Sequence, residues 1–177
     1  PIALNGAFED DYETNFDNNT QPYIDQIVKV KSFALGSEFV PTKDMTLAQV
    51  NELVEQQISQ GIKPEHIVIA GFSQGGAVAY EAALSYDKPL AGLMALSTYF
   101  ATHDTVALSP ANAALPIKID HGLSDPVVPE LLGQQAVAHL TAKGFKPTYH
   151  TYAMQHEVCW PQIADISQWL QRCVASS

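Results

Sequence analysis

The sequence predicts an α/β fold, a mostly parallel sheet with helices on both faces, and two observations support this. Helical and strand patterns alternate along the chain from residue 44 onward, and such alternation is typical of parallel strands joined by helical crossovers. The strand candidates are short and largely apolar, as expected for strands buried on both faces. With 177 residues, of which 46% are hydrophobic and 16% charged, the chain has the length and composition of one domain with its own core.

The first helix is predicted over residues 47–59. Thr46 and Gln49 have the spacing of a capping box, apolar residues recur on one helical face, and Gly61 supplies a stop. The apolar run at 66–70 comes next along the chain and predicts a strand buried within the sheet.

The remainder of the chain repeats this order of helix and strand. Further strands are predicted at 90–96, 115–119 and 147–152. Further helices are predicted at 74–86, 130–143 and 161–174. The last helix begins with Pro161, which suits the first turn of a helix, and it carries an apolar stripe on one face.

The first 43 residues have a different composition. Six acidic residues precede the first basic residue, Lys29, which indicates a solvated acidic loop. The oxygen-bearing side chains over 11–17 have the spacing of a calcium-binding loop, but Phe16 and Pro22 occupy positions that require Gly and a bidentate Glu. We therefore expect a plain acidic loop without calcium, followed by a half-exposed strand at 27–33.

The net charge limits the partners that the chain can bind. It carries 19 acidic and 9 basic side chains, a formal charge of −10. Nucleic acids and anionic membrane surfaces attract basic patches, so this balance argues against both. We expect a neutral or weakly polar small molecule as the substrate.

The cysteines and the absence of targeting segments favour a cytoplasmic protein. Cys159 lies two residues before the last predicted helix and Cys173 lies near its end, so a rise of 1.5 Å per residue separates them by about 21 Å, too far to form a disulfide. Free thiols are typical of the cytosol. No apolar run reaches the roughly 18 to 20 residues of a membrane span, and the residues after Pro1 do not have the pattern of a signal peptide.

A GxSxG motif, Gly71-Phe72-Ser73-Gln74-Gly75, lies between the buried strand and a helix. In α/β-hydrolases a tight turn at this place lifts the serine hydroxyl above the sheet edge, and the flanking glycines permit the backbone path. The same turn points the amide N–H of Gln74 at a carbonyl oxygen under attack. We therefore predict Ser73 as a nucleophile and the Gln74 N–H as an oxyanion donor; the alternative is a structural turn serine.

The predicted nucleophile needs a histidine base, and that histidine needs a carboxylate to orient it. In this fold the acid and the base follow the serine in that order, each in a loop after a later strand. Asp125 is favoured as the acid because it lies in such a loop, whereas Asp120 closes the preceding strand and Asp104 follows an earlier one. His156 is favoured as the base. His121 is either an exposed residue or a support of the acid loop.

Four segments resemble the bacterial carboxylesterase and acyl-protein thioesterase branch of the α/β-hydrolases, the phospholipase/carboxylesterase family. They are residues 70–77 (AGFSQGGA), 95–99 (ALSTY), 121–129 (HGLSDPVVP) and 154–158 (MQHEV). The resemblance covers residues 46–174. It implies one α/β-hydrolase domain over 1–177, with a divergent acidic region at 1–45 and a family-like catalytic core at 46–174.

The resemblance also implies the function. It implies a serine hydrolase that cleaves carboxylic esters or thioesters of small to medium acyl chains through an acyl-enzyme, with Ser73, Asp125 and His156 as the triad. Neither a metal nor another cofactor is implied, and family members frequently form homodimers. The residues implied at the border of the acyl pocket, with a place at the edge of the core as the alternative, are Leu96, Ser97, Thr98, Tyr99 and Phe100.

The family's early His-Gly-x-Gly loop, which supplies a second oxyanion N–H, has no counterpart in this chain. Residues 33–36 come nearest, but they lack the His and the first Gly, and residues 1–6 resemble a segment that follows that loop. We expect that the upstream strands precede this sequence, that residues 1–45 replace them, or that activity has been lost. The last case leaves a non-catalytic binding or scaffold protein as the alternative function.

Overall fold

The computed structural model describes residues 27–29 and 43–175, which form a parallel sheet flanked by helices. Within these residues five strands pair in chain order, and each neighbouring pair is parallel. The strands are β1 (Ile27–Lys29), β2 (Val68–Phe72), β3 (Gly92–Leu96), β4 (Ile117–Gly122) and β5 (Thr148–Tyr152). The helices are α1 (Lys43–Ser59), α2 (Gln74–Ser85), α3 (Glu130–Ala142) and α4 (Trp160–Ala175).

Helices cover both faces of the sheet, which confirms the predicted α/β architecture. Helices α1, α2 and α3 pack on one face, against a core that includes Ile69, Leu93 and Ile119. Helix α4 packs on the other face, where Trp169 and Leu170 contact apolar side chains of β2 and β3. Because successive side chains of a strand point to opposite faces, β2 and β3, which are buried on both sides, are apolar throughout.

Most elements begin within one or two residues of the predicted position, and the starts of α1 and β2 have identifiable causes. Helix α1 begins at Lys43, so Thr46 and Gln49 lie inside the helix. Their spacing does not mark its start, because Thr and Gln are both tolerated in helix interiors. Strand β2 begins at Val68 because Pro64–His66 form a separate turn of 3-10 helix, in which Pro64 suits the first position.

Strand β4 extends to Gly122, three residues beyond its predicted end. Asp120 and His121 therefore lie within the strand. The strand continues because the Asp120 carbonyl accepts a hydrogen bond from Ser97 N–H at 2.8 Å and Asp120 is in register with His150 of β5.

Before α1 the structure describes β1 alone. The strand predicted at 27–33 is confirmed for Ile27–Lys29, which pairs in parallel with β2. The predictions for the acidic residues at 11–17 and for residues 33–36 lie outside the described residues. The single domain over 1–177 stays a prediction.

A buried ion pair lies on the α4 side of β4. Lys118 and Asp120 are 1% and 0% exposed, and Lys118 Nζ lies 2.9 Å from Asp120 Oδ1. Lys118 Nζ is also 3.2 Å from His150 Nδ1, and the fully buried Gln162 of α4 lies beside Asp120. Burial raises the pKa of Asp120, while the Lys118 ammonium acts in the opposite direction. Each charge is stable in this place because the other compensates it.

We expect Lys118→Met to destabilise the fold by about 3 to 5 kcal/mol, because it leaves the Asp120 carboxylate buried without its cation. Urea unfolding at pH 7 measures the loss. The double variant Lys118→Met/Asp120→Leu removes both charges and is expected to recover most of the stability. An unfolding midpoint of Lys118→Met equal to that of the wild type would contradict this account of the pair.

Candidate active site

Ser73 lies in a strained turn between β2 and α2. Its φ of 53° and ψ of −128° are rare for a residue with a side chain, and such a conformation costs about 1 to 3 kcal/mol unless surrounding contacts hold it. One such contact is the hydrogen bond from Ser73 N–H to the Leu96 carbonyl at 3.0 Å. Gly71 permits the turn, because a Cβ there would overlap the carbonyl of Gly75. The GxSxG motif thus forms the strand-to-helix turn that its sequence predicts.

Ser73, His156 and Asp125 form a continuous chain of hydrogen bonds. His156 Nε2 lies 3.0 Å from Ser73 Oγ, and His156 Nδ1 lies 2.7 Å from Asp125 Oδ2. The three side chains come from the ends of β2, β4 and β5, which meet at the carboxyl edge of the sheet. A serine, an imidazole and a carboxylate in this order can transfer a proton from the hydroxyl to the ring.

The acid loop holds Asp125 in its ionised form. Asp125 Oδ1 accepts hydrogen bonds from the N–H groups of Val127 and Val128, both at 2.9 Å. Burial by itself would raise the pKa of Asp125, but hydrogen bonds from His156, Val128 and Val127 hold that pKa below its usual value. His121 supports the same loop, because its fully buried ring donates from Nε2 to the Val128 carbonyl at 2.8 Å.

The acid loop and the histidine loop are joined through their main chains. Leu123 N–H donates to the Tyr152 carbonyl at 2.9 Å, and Ser124 N–H donates to the Met154 carbonyl at 3.1 Å. Gly122 allows this close approach, since a Cβ there would overlap the carbonyl of Gln155. The two loops therefore hold their side chains at a fixed separation.

The His156 ring packs against Phe72, next to the serine turn. Its centroid lies 4.7 Å from that of Phe72, the residue before Ser73, and its side chain is 17% exposed. The imidazole is therefore partly exposed to solvent, and an apolar ring limits its rotation.

The predicted pocket residues lie next to the serine turn, and most of their side chains are buried. Leu96 ends β3, and Ser97 follows it with a φ of 45°. Phe100 stacks on Tyr80 of α2 inside the core. Tyr99 is the half-buried member of the set. A role of these residues in acyl binding stays a prediction.

The rival acids lie in other surroundings. Asp120 is paired with Lys118 beneath the sheet edge. Asp104 is 84% exposed and lies 2.9 Å from the ring of His103. Neither carboxylate contacts His156 among the described residues, so the geometry favours Asp125 as the partner of this histidine.

One contact of the serine turn is not evident from the sequence. Thr98 Oγ1 donates a hydrogen bond to the carbonyl oxygen of Ser73 at 2.5 Å. The two residues are 25 positions apart, and the motif around Ser73 carries no sign of this partner. The register between β2 and β3 and the turn at Ser97 bring them together.

Two kinds of feature are absent from residues 27–29 and 43–175. No three His, Cys, Asp or Glu side chains group there in a way that could hold a metal ion. No helix of this part of the chain combines the length and apolar character that crossing a bilayer requires.

A parallel sheet with a strained serine turn after one strand, an acid loop after a later strand and a histidine before the last helix defines an α/β-hydrolase. A model of the phospholipase/carboxylesterase family matches residues 40–174. The chain belongs to this family, which confirms the resemblance seen in its motifs.

Named relatives and solved structures give the same result. Acyl-protein thioesterase 1 of Cryptococcus neoformans is 34% identical over 145 residues, which cover 73% of this chain and 61% of the relative. A probable carboxylesterase of Oryza sativa is 30% identical over 131 residues, or 72% of this chain and 49% of the relative. The crystal structure of Arabidopsis thaliana SOBER1 matches with a TM-score of 0.69 at 26% identity, over 75% of this chain and 65% of that one.

The chain spans between 49% and 61% of the length of these two sequence relatives. Both relatives are eukaryotic, whereas the resemblance seen in the motifs is to bacterial members of the family.

The lowered pKa of Asp125 predicts a pH-dependent contribution to stability. Because its folded pKa lies below the unfolded value of about 3.9, the ionised carboxylate stabilises the fold above that pH, and this stabilisation is lost as the pH falls through the folded pKa. We expect the difference in unfolding free energy between the wild type and Asp125→Asn to have its full size above about pH 5 and to shrink below about pH 4. Urea unfolding at several pH values measures it, and a difference that grows on acidification would contradict the assignment.

Proposed function

We propose that this chain is a serine hydrolase that cleaves carboxylic esters or thioesters through an acyl-enzyme. The observation that carries the proposal is the continuous hydrogen-bonded chain from Asp125 through His156 to Ser73. The family membership of residues 40–174 supports the same reaction.

In the first half of the reaction, Ser73 Oγ forms a bond to the acyl carbon and its proton moves to His156 Nε2. Asp125 stabilises the imidazolium that results. The tetrahedral intermediate then collapses, the bond from the acyl carbon to the alcohol or thiol breaks, and the leaving group takes the proton from His156. The products of this half are the free alcohol or thiol and an acyl ester of Ser73.

In the second half, a water molecule gives a proton to His156 Nε2 and its oxygen attacks the acyl carbon. The bond to Ser73 Oγ breaks, and the oxygen of the serine takes the proton back. The carboxylic acid leaves and the free serine is restored.

We assign the N–H of Gln74 as the hydrogen-bond donor to the oxyanion of both tetrahedral intermediates. Gln74 is the first residue of α2, where backbone N–H groups lack partners inside the helix and the helix dipole adds positive potential. Gln74 follows Ser73 directly in the sequence, and the N–H of the residue after the nucleophile is the usual oxyanion donor in α/β-hydrolases.

The relatives and the charge indicate the substrate class. One relative is named an acyl-protein thioesterase and another a probable carboxylesterase. The formal charge of −10 favours a neutral acyl compound over an anionic one. We therefore assign small to medium acyl esters or thioesters as the substrates. A homodimer and a cytoplasmic location stay predictions.

Replacement of the nucleophile is the direct test. Ser73→Ala removes the attacking oxygen and is expected to lower the turnover of a p-nitrophenyl ester by about 10⁴- to 10⁶-fold. Ser124→Ala, the same change at an exposed serine of the acid loop, serves as the matched control and is expected to keep full activity. Retention of most activity by Ser73→Ala would refute the proposal.

The second candidate, a non-catalytic binding or scaffold protein, is favoured by the absence of a His-Gly-x-Gly motif. Covalent labelling by a fluorophosphonate separates it from the hydrolase, because only an activated hydroxyl reacts promptly. Labelling of the wild type at Ser73, with none in Ser73→Ala, rejects the scaffold. No labelling of the folded wild type rejects the hydrolase.

The acid is tested by a change that keeps the shape of the side chain. We expect Asp125→Asn to lower kcat by about 10⁴-fold, because the amide no longer stabilises the tautomer and the charged form of His156. Asp104→Asn makes the same change at an exposed carboxylate and is expected to have no effect. Steady-state hydrolysis of a p-nitrophenyl ester measures both variants, and equal activities would contradict the role of Asp125.

A further inference from the structure

We infer that Thr98 is a positioning residue, whose hydroxyl fixes the direction of the Gln74 N–H and so completes the oxyanion donor of the site. The inference rests on the proposed hydrolase function and adds a residue to it. Thr98 itself would not touch the substrate in this role, because its hydroxyl is bonded to the backbone of the serine turn.

The carbonyl oxygen of Ser73 accepts two hydrogen bonds. Gly76 N–H donates to it at 3.0 Å from the first turn of α2. Thr98 Oγ1 donates to it at 2.5 Å from the segment that follows β3. A carbonyl oxygen has two lone pairs, so these donors occupy both of its acceptor positions.

Fixing this carbonyl also fixes the N–H of the next residue. The peptide between Ser73 and Gln74 is planar, and the structure contains no cis peptide among the described residues. In a trans peptide the C=O and the N–H point in opposite directions. Two donors that hold the Ser73 oxygen on one side therefore aim the Gln74 N–H to the other side, away from Thr98.

The hydroxyl of Thr98 is itself held in place. Its side chain is buried, with 1% of the residue exposed. Ser97 turns the chain with a φ of 45°, while its N–H is bonded to the Asp120 carbonyl of β4. On the other side α2 lies directly against Thr98, because a Cβ on Gly76 would overlap the threonine side chain. A hydroxyl enclosed in this way has few other directions in which to donate.

The two hydrogen bonds also strengthen the predicted oxyanion donor. A hydrogen bond to a peptide oxygen polarises the amide, and in a buried setting such chains of hydrogen bonds reinforce one another. Loss of a whole oxyanion donor costs about 10²- to 10³-fold in turnover. Loss of the Thr98 hydroxyl leaves the Gln74 N–H in place but less well aimed, so a smaller effect is expected.

Two pairs of variants isolate the hydroxyl. Thr98→Val keeps nearly the shape of the side chain, and Thr98→Ser keeps the hydroxyl without the methyl group. We expect Thr98→Val to lower kcat by about 10- to 100-fold with little change in KM, as for an interaction made mainly in the transition state. Thr98→Ser is expected to keep most of the activity. The comparison of Thr98→Ser with Thr98→Ala repeats the test in a smaller side chain, in case valine disturbs the fold.

A transition-state analogue separates positioning from general damage to the structure. A trifluoromethyl ketone accepts Ser73 Oγ at its carbonyl carbon and places an oxyanion beside Gln74, whereas a carboxamide of the same chain length binds without forming one. We expect Thr98→Val to weaken the binding of the trifluoromethyl ketone by the same factor by which it lowers kcat/KM. The affinity for the carboxamide is expected to stay unchanged.

Full activity of Thr98→Val and Thr98→Ala in an active wild-type background would overturn this inference alone. An equal loss of affinity for the trifluoromethyl ketone and for the carboxamide would also overturn it, because a merely structural role of Thr98 would weaken the binding of both inhibitors. A folded wild type that neither labels with fluorophosphonate nor hydrolyses esters would overturn the proposed function, and this inference with it.

Discussion

Three backbone hydrogen bonds along the carboxyl edge of the sheet determine where the catalytic candidates lie. Ser73 N–H bonds to the end of β3, Ser97 N–H to β4, and Leu123 N–H to the end of β5. Each bond ties the first residue after one strand to the neighbouring strand, so the chain leaves the sheet at one common level. A shift of register by one residue in β2 or β4 would turn its side chains to the opposite face and separate the serine from the acid loop.

Much of this arrangement could be predicted from the sequence because the fold orders its functional groups along the chain. Parallel strands bring their carboxyl ends to one edge, so a serine, an acid and a histidine that follow successive strands must come near one another. The GxSxG motif added the local detail, since Gly71 is required where the start of α2 passes close to β2. The helices on both faces followed from strands with an apolar pattern throughout.

The parts that could not be predicted depend on contacts between distant residues. The end of β4 was misplaced because Asp120 and His121 are polar, and a sequence pattern reads such residues as exposed. The structure buries both, and Asp120 is paired with Lys118. The hydrogen bond from Thr98 to the Ser73 carbonyl depends on the register of β2 with β3 and on the turn at Ser97. Neither the burial of Asp120 nor the hydrogen bond of Thr98 can be recognised from the sequence of a single segment.

The main-chain hydrogen bonds between the acid and histidine loops affect which side chains of this domain can change in evolution. Hydrogen bonds between peptide groups survive most changes of side chain, so the separation of Asp125 and His156 does not depend on the identity of the outward residues. Leu123 and Val127 lie on the acid loop and are 59% and 64% exposed. Their size and polarity can therefore change while Asp125 and His156 keep their separation.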